Sequence, residues 1–340
     1  MTAVSGANSS VPPTLEDVAA AAGVSSATVS RVLNGKVKVS AAKADAVRRA
    51  VEALNYHPNP AARLLANHQQ SMIAVIVHNT VRYGYAKTIE GIGLAASAAG
   101  YSVMITVVET ADDFHVSRAV DLVMAQSISG VVLVDFDEVA RKVLERLPQN
   151  IKAVIAGGHQ DDGGDVPRVY LDDTTAGYQA TRYLLDLGHP TVHLMAIPAT
   201  DQSNGRNVGW RRALEDAGVR VPSIIQCDYN SASGYQNARA LFAAKGVSAV
   251  LCGNDEVALG VMSYATDIGK TIPADLSIVS FDDQPFAEII RPALTTVRQD
   301  FVTLGGAAFA TLSRLIAGES VPRFAAYDGQ LVVRDSAIAK

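Results

Sequence analysis

The amino-acid sequence predicts an α/β protein in two parts, a small all-helical head at the N terminus and a large body of parallel sheets covered by helices on both faces. Three observations carry this reading. Between Leu15 and Asn34 two apolar stripes of helical spacing are joined at a single glycine; at Met72 the texture changes to short β-branched runs; and from there strand-like and helix-like segments alternate almost to the end of the chain.

In the head, Leu15, Val18, Ala19 and Ala22 fall at i, i+3, i+4 and i+7, the apolar stripe of a short amphipathic helix. Thr14 caps it, Asp17 completes a T-x-x-D capping pattern, and Gly23 gives the backbone freedom to turn. A second helix opens at Ser25 or Ser26, with Val29, Val32 and Leu33 turned inward and Ser26, Ala27, Ser30, Arg31 and Asn34 turned outward. Two helices joined by a tight glycine turn make a helix-turn-helix. Small residues on the outward face let the helix sit deep in a groove, and Arg31 carries the planar fork that fits guanine O6 and N7. An ordinary core hairpin uses the same spacing, so spacing alone leaves both readings open. Beyond the loop holding Lys36 and Lys38, both placed for phosphates, Ser40 caps a third helix buried through Val47, Ala50, Val51 and Leu54. Asn59 and Pro60 then start a helix of about two turns, too short to be stable alone in water. It is expected to order against a dimer mate and the minor groove, with one of Leu64 and Leu65 packing and the other wedging between base pairs; docking of both leucines on the neighbouring domain is the alternative.

A chain of 340 residues, 49% of them apolar, exceeds one ordinary domain and has ample material for a buried core. No run approaches the roughly 18 apolar residues of a membrane span, so no membrane is expected among its partners. Residues 1–13 lack the basic and apolar regions of a signal peptide and read as a disordered tail on a cytoplasmic protein. With only Cys227 and Cys252, reduced thiols are expected. The net charge of −5 hides an asymmetry: from Thr14 to Gln70 seven basic residues face four acidic ones, a +3 head on a −8 body. Phosphate contact is thereby confined to one end.

The ordered motifs of the head resemble the DNA-binding domain of the lactose-repressor (LacI/GalR) family. LEDVAAAAGVSSATVSRVLN, a third helix ending in LNY, and PNPAARLL match its helix pair, third helix and hinge. The resemblance implies a sequence-specific regulator, read as a repressor, in which the second helix enters the major groove and Leu65 intercalates. Thr14, Ser25, Ser26, Ala27, Thr28, Ser30, Arg31, Asn34, Lys38, Asn59, Arg63 and Leu65 are the expected DNA contacts. Double-stranded operator DNA and a second copy of the chain are the implied partners, since one small head reads too few base pairs. The body continues the likeness in TTAGYQATRYLLDLGH, GNDEVALGVM, GKTIPADLSIVSFDD and LTTVRQDF. It implies a two-lobed core like the type I periplasmic binding proteins. The expected plan is a head from 14–58, a hinge from 59–71, and a core from 72–340 whose first lobe, next to DNA, takes 72–172 and 301–325 and whose far lobe takes 173–300 and 326–336.

Ligands in such folds sit beyond the carboxyl ends of strands, between the lobes. A sugar or related polyol needs carboxylates, amides or guanidinium groups for its hydroxyls and an aromatic face for its ring. The resemblance implies Asp255, Arg206 and Tyr229 as effector-binding residues, with Tyr85 and Asn79 in the loop after the first core strand. Capping of the next helix by Asp255, a surface ion pair for Arg206 and core packing of the tyrosines are the competing readings. Two departures from the family pattern, Arg82-Tyr83-Gly84-Tyr85 and Ala156-Gly157-Gly158-His159, reshape the pocket; Arg82 or His159 would suit a carboxylate or phosphate.

No enzyme and no cofactor are expected. Gly91-Ile92-Gly93-Leu94-Ala95-Ala96 imitates a dinucleotide fingerprint, but it lies inside a helix rather than in the turn after a strand. The Asp282-Asp283 pair reads as a loop after a strand rather than acid–base machinery. The alternative function is a carbohydrate-binding or carbohydrate-processing protein whose head serves protein contacts.

Overall fold

The computed structural model describes residues 13–34, 39–56, 72–158, 164–198 and 205–340. It divides into two compact units, 1–70 and 71–340.

The first unit holds α1 (Leu15–Ala22), α2 (Ser26–Asn34) and α3 (Ala41–Ala53). The capping box forms as written, Thr14 N donating to Asp17 Oδ2 at 2.7 Å and Asp17 N to Thr14 Oγ1 at 3.3 Å. Gly23 turns the chain at φ 65°, where Val24 N still reaches Ala19 O at 3.0 Å. Val18, Val29, Val47, Ala50 and Tyr56 close the small core, with Val32 and Leu33 packed at its margin. Ser40 precedes α3 but makes no side-chain capping bond.

The second unit is built from two six-stranded sheets. The first contains β1 (Met72–Val77), β2 (Ser102–Val107), β3 (Val131–Asp135), β4 (Ala153–Gly157), β5 (Arg168–Leu171) and β11 (Phe324–Tyr327), ordered β11-β5-β4-β3-β1-β2 with every pairing parallel. The second contains β6 (His193–Ala196), β7 (Ile225–Gln226), β8 (Ala249–Cys252), β9 (Ser277–Asp282), β10 (Thr295–Arg298) and β12 (Gln330–Val332), ordered β12-β10-β9-β8-β6-β7 and parallel except for β10 with β12. Runs such as Ile73–Val77 and Val131–Val134 are buried throughout because helices cover both faces.

Helices α4 (Tyr83–Ala98), α5 (Asp113–Met124), α6 (Val139–Arg146) and α11 (Phe301–Ile316) belong to the first lobe; α7 (Asp173–Asp186), α8 (Arg206–Asp216), α9 (Ser231–Ala243) and α10 (Asp255–Asp267) belong to the second. The chain passes between lobes after β5, after β10 and after β11. Because Ala326 and Tyr327 pair with Tyr170 and Leu171, the first lobe runs two residues past the expected boundary at 325. The chain end stays in the second lobe, Ile278 N bonding Ser336 O at 2.7 Å and Lys340 N bonding Leu187 O at 2.8 Å.

The fingerprint-like glycine at 91 has a structural purpose. A Cβ there would lie 2.1 Å from Val302 O, and one at Gly305 would lie 2.1 Å from Thr88 O, so α4 and α11 cross with their backbones in contact. Gly177 with Gly209, and Gly234 with Gly260, allow the same approach in the second lobe. Among the described residues no helix is long and apolar enough to cross a membrane.

Candidate functional site

Two surfaces carry the chemistry. On the head, α2 exposes Ala27 and Arg31, with Ser26, Thr28 and Ser30 partly exposed beside them. Ser25 is committed locally: its hydroxyl meets Thr28 Oγ1 at 3.0 Å and accepts from Thr28 N at 3.3 Å, so Thr28 and Ser25 shape the start of the helix. Thr14 is likewise engaged in its cap. The side chain of Asn34 and residues Lys38, Asn59, Arg63, Leu65 and His159 lie outside the described residues, as does the expected hinge helix.

The second surface is a cleft between the two sheets, about 150 Å³ in volume. An engineered apolar cavity of about 150 Å³ takes a benzene ring, so the space suits one six-membered ring. Strand topology fixes its position: β1 has β2 on one side and β3 on the other, β6 lies between β7 and β8, and the segments following β1, β3, β6 and β8 line the cleft. These are the points where strand order reverses, and where ligands of open α/β sheets bind.

The two walls differ in kind. The first lobe contributes rings: Tyr85 stands edge-on to Phe136 at 5.1 Å, Phe136 to Phe301 at 5.8 Å and Tyr83 to Phe301 at 6.0 Å. Among the described residues its lining carboxylate is Asp135, bound by the buried Arg168 at 2.6 Å. Tyr85 donates to Asp137 Oδ2, and burial, followed by that carboxylate, raises its pKa far beyond neutral chemistry.

The second lobe contributes charge. Arg206, the first residue of α8, pairs with Asp173 at 3.1 Å and Asp282 at 3.4 Å, donates to Gly253 O, and lies 4.2 Å over the Phe281 ring. Burial works against its charge, yet the two carboxylates hold it above its ordinary pKa. Asp282 sits at φ 105°, a conformation costly to a residue with a side chain and concentrated at functional sites. Burial pushes its carboxyl up to about 8; Arg206 opposes this, and Asp255, Glu256 and Asp173 reinforce it. Glu256 and Asn254 also belong to this wall, and among the described residues Glu256 Oε2 is buried with no hydrogen-bond partner.

Of the expected effector residues, Arg206, Tyr85 and Tyr229 come together around the cleft. Asp255 does not line it. Its side chain is turned inward, where Oδ1 accepts from Ser280 and from Thr296 at 2.7 Å and Oδ2 from Gln284 N at 2.7 Å; burial raises its carboxyl to about 6. Asn254, not Asp255, caps α10, accepting from Val257 N at 2.9 Å. Asn79 also stands off the cleft, accepting from the amides of Val81 and Arg82 at 2.8 Å each. Glu256, Asn254, Asp173, Asp135 and Phe301 line it without having been singled out, and so does Asp282, which was read only as a loop residue. The signal for Asp282 was available: an acidic pair at the carboxyl end of a buried strand.

Residues 14–59 match the family described as bacterial regulatory proteins, lacI family, and residues 181–337 match the periplasmic binding protein-like domain. The lactose operon repressor of Escherichia coli (strain K12) is 31% identical over 333 residues, 96% of this chain and 91% of that protein. The chain belongs to the LacI family. The HTH-type transcriptional repressor PurR of Pectobacterium carotovorum subsp. carotovorum (strain PC1) is 32% identical over 308 residues, covering 88% of this chain and 89% of its own. Catabolite control protein A of Priestia megaterium is 29% identical over 313 residues, 91% and 94% of the two chains. The solved lac repressor dimer bound to operator and the anti-inducer ONPF superposes at a TM-score of 0.88 with 30% identity, covering 97% of this chain and 100% of that one. The fold is that of the lac repressor, a helix-turn-helix head and a two-sheet α/β core. The LacI-family relatives are transcriptional regulators rather than enzymes.

Proposed function

We propose that this LacI-family protein is a homodimeric repressor that reads operator DNA with α2 and whose operator affinity is set by an uncharged polyol, such as a sugar, bound in the cleft. The observation that carries the ligand assignment is the opposition of the walls. Rings on one side suit the apolar face of a sugar; carboxylates, an amide and a fixed guanidinium on the other suit its hydroxyls. Arg206, Asp282, Asn254 and Glu256 hold hydroxyls, Tyr85 and Tyr229 bound the ring, and Asp255 acts from behind by fixing the turn that carries Gln284. Of the two arginines among the described lining residues, Arg206 is engaged by Asp173 and Asp282 and Arg82 is stacked on the Tyr229 ring, which supports a neutral ligand over an anion.

The DNA assignment is supported by the exposed Arg31 on α2 and by the lac repressor dimer seen on operator. Coupling between cleft and DNA requires the ligand to favour one arrangement of the lobes, typically by about 1–3 kcal/mol. A mobility-shift assay with genomic fragments tests the head: Arg31→Ala is expected to weaken the specific complex by about 1–3 kcal/mol, roughly 5-fold to 150-fold, while leaving the melting point unchanged. A thermal-shift screen against sugars, polyols, nucleosides and sugar phosphates tests the cleft. Stabilisation by sugar phosphates alone would overturn the neutral-ligand assignment.

A further inference from the structure

We infer that Arg82 and Tyr229 form a clasp that ties the two lobes together across the mouth of the cleft and controls its opening. This goes beyond the proposed function but rests on the cleft being the ligand site. Arg82 precedes α4 in the first lobe, Tyr229 precedes α9 in the second, and the Arg82 guanidinium lies 4.1 Å over the Tyr229 ring. Both ends are held in advance. Asn79 accepts from Arg82 N at 2.8 Å, and Asn254 Nδ2 donates to Tyr229 O at 2.8 Å. The Tyr229 hydroxyl lies 3.1 Å from Pro198 O in its own lobe and 3.4 Å from Phe136 O in the opposite lobe.

The topology gives this contact its leverage. All three crossings between lobes leave from β5, β10 and β11, at the β11-β5 edge of one sheet and the β12-β10 edge of the other. Gln299 bonds Asp173 there at 2.6 Å. Arg82 follows β1 and Tyr229 follows β7, toward the opposite edges of both sheets. From β5 to β1 is three strand spacings, about 14 Å, so an opening of about 10° would part the clasp by roughly 2.5 Å. A guanidinium stacked at 4.1 Å does not survive that displacement. The same stacking leaves no gap for a ligand ring between the two side chains. A ligand that uses this face of Tyr229 must displace Arg82, so the cation introduced at position 82 selects against flat rings that need to be sandwiched there.

Hydrogen exchange on the full-length protein, with neither DNA nor ligand added, tests the clasp. Arg82→Gln and Tyr229→Leu are each expected to accelerate exchange about 3- to 30-fold in the segments around 135–139 and 253–257, the range that loss of one cation–π contact implies. The double variant should be no faster than either single one, and Arg82→Lys should fall between wild type and Arg82→Gln. Acceleration by Tyr229→Leu alone would assign closure to the hydroxyl bond with Phe136 and overturn the clasp. So would unchanged exchange in every variant, or acceleration reaching β1 and β9 equally, which marks general loss of stability. Because no effector is used, failure here leaves the polyol reading intact, and failure of every polyol to bind leaves the clasp intact.

Discussion

The two lobes are built on one plan and finished in opposite chemistries. Each has six strands and helices in glycine-mediated backbone contact, one pair in the first lobe and two in the second, yet one presents Tyr83, Tyr85, Phe136 and Phe301 to the cleft and the other Arg206, Asp173, Asn254, Glu256 and Asp282. Arg82 and Tyr229 each break the rule of their own wall, a cation on the aromatic side and a ring on the charged side, and they meet. The scaffold therefore supplies the cleft, while the residues at the strand ends decide what enters it. The most disruptive way to probe this division is Arg206→Ala. The buried Asp282 and the half-buried Asp173 would lose their shared cation, at a cost of about 3–5 kcal/mol. A lower melting point together with loss of any polyol-induced shift is expected; retention of that shift would remove Arg206 from the site.

Scaffold and site separate cleanly in a second pair of variants. Gly91→Ala places a methyl 2.1 Å from Val302 O and should destabilise the first lobe by about 1–3 kcal/mol or more, since backbones cannot give way as a flexible side chain can. Gly93, two residues along the same helix, has nothing within 4 Å of its added Cβ. Gly93→Ala is expected to stabilise by about 0.5–1 kcal/mol through helix propensity. Thermal denaturation of both variants reads the contrast, and equal effects would show that the α4–α11 contact does not depend on Gly91.

That same glycine shows how far the sequence could be read. Its helical surroundings ruled out a dinucleotide turn, but the partner helix, α11, lies some two hundred residues away and no local pattern announces it. The head was legible almost residue by residue because capping and turning are local: Thr14, Asp17 and Gly23 do what their types imply. The core strands were legible as β-branched runs, whereas the two-residue β7 and the third crossing after Tyr327 depend on pairing with distant strands. In the cleft, Arg206 and both tyrosines could be placed. Asp255 pointed elsewhere because Ser280 and Thr296, from two other strands, turn its carboxylate inward. Asp282 passed for a loop residue because its positive φ is invisible in a sequence.

Asp282 also gives the charged wall a pH signature that the aromatic wall lacks. Its carboxyl is raised in the fold from 3.8 to about 8, so it favours the folded state fully below about pH 4, and this contribution is lost as pH rises toward 8. Asp255, raised to about 6, acts in the same direction over the narrower window from about pH 4 to 6. Each contributes a slope of at most about 1.4 kcal/mol per pH unit. Between pH 6 and 8 the Asp282 share remains, so the wild-type melting point should fall across that interval more steeply than that of Asp282→Asn. The amide keeps a donor and an acceptor at this position, so polyol binding should persist in the variant while losing its decline at alkaline pH. Parallel melting curves for the two proteins would show that Asp282 is ionised in the fold.

The smallest expected effect tests the aromatic wall by itself. Phe136→Leu preserves an apolar side chain between Tyr85 and Phe301 but removes the flat face and the edge-on contacts at 5.1 and 5.8 Å. Aromatic geometry of this kind is worth about 0.5–1.5 kcal/mol beyond simple burial, which predicts a roughly twofold to tenfold weaker polyol complex by calorimetry. The operator complex formed without polyol should be unaffected, because the substitution leaves the charged wall and the head untouched. If affinity falls for acyclic polyols as much as for pyranoses, the ring face is not what the wall recognises, and its rings serve the first lobe's packing instead. If it falls for pyranoses alone, the division of labour between the lobes extends to the two faces of the ligand.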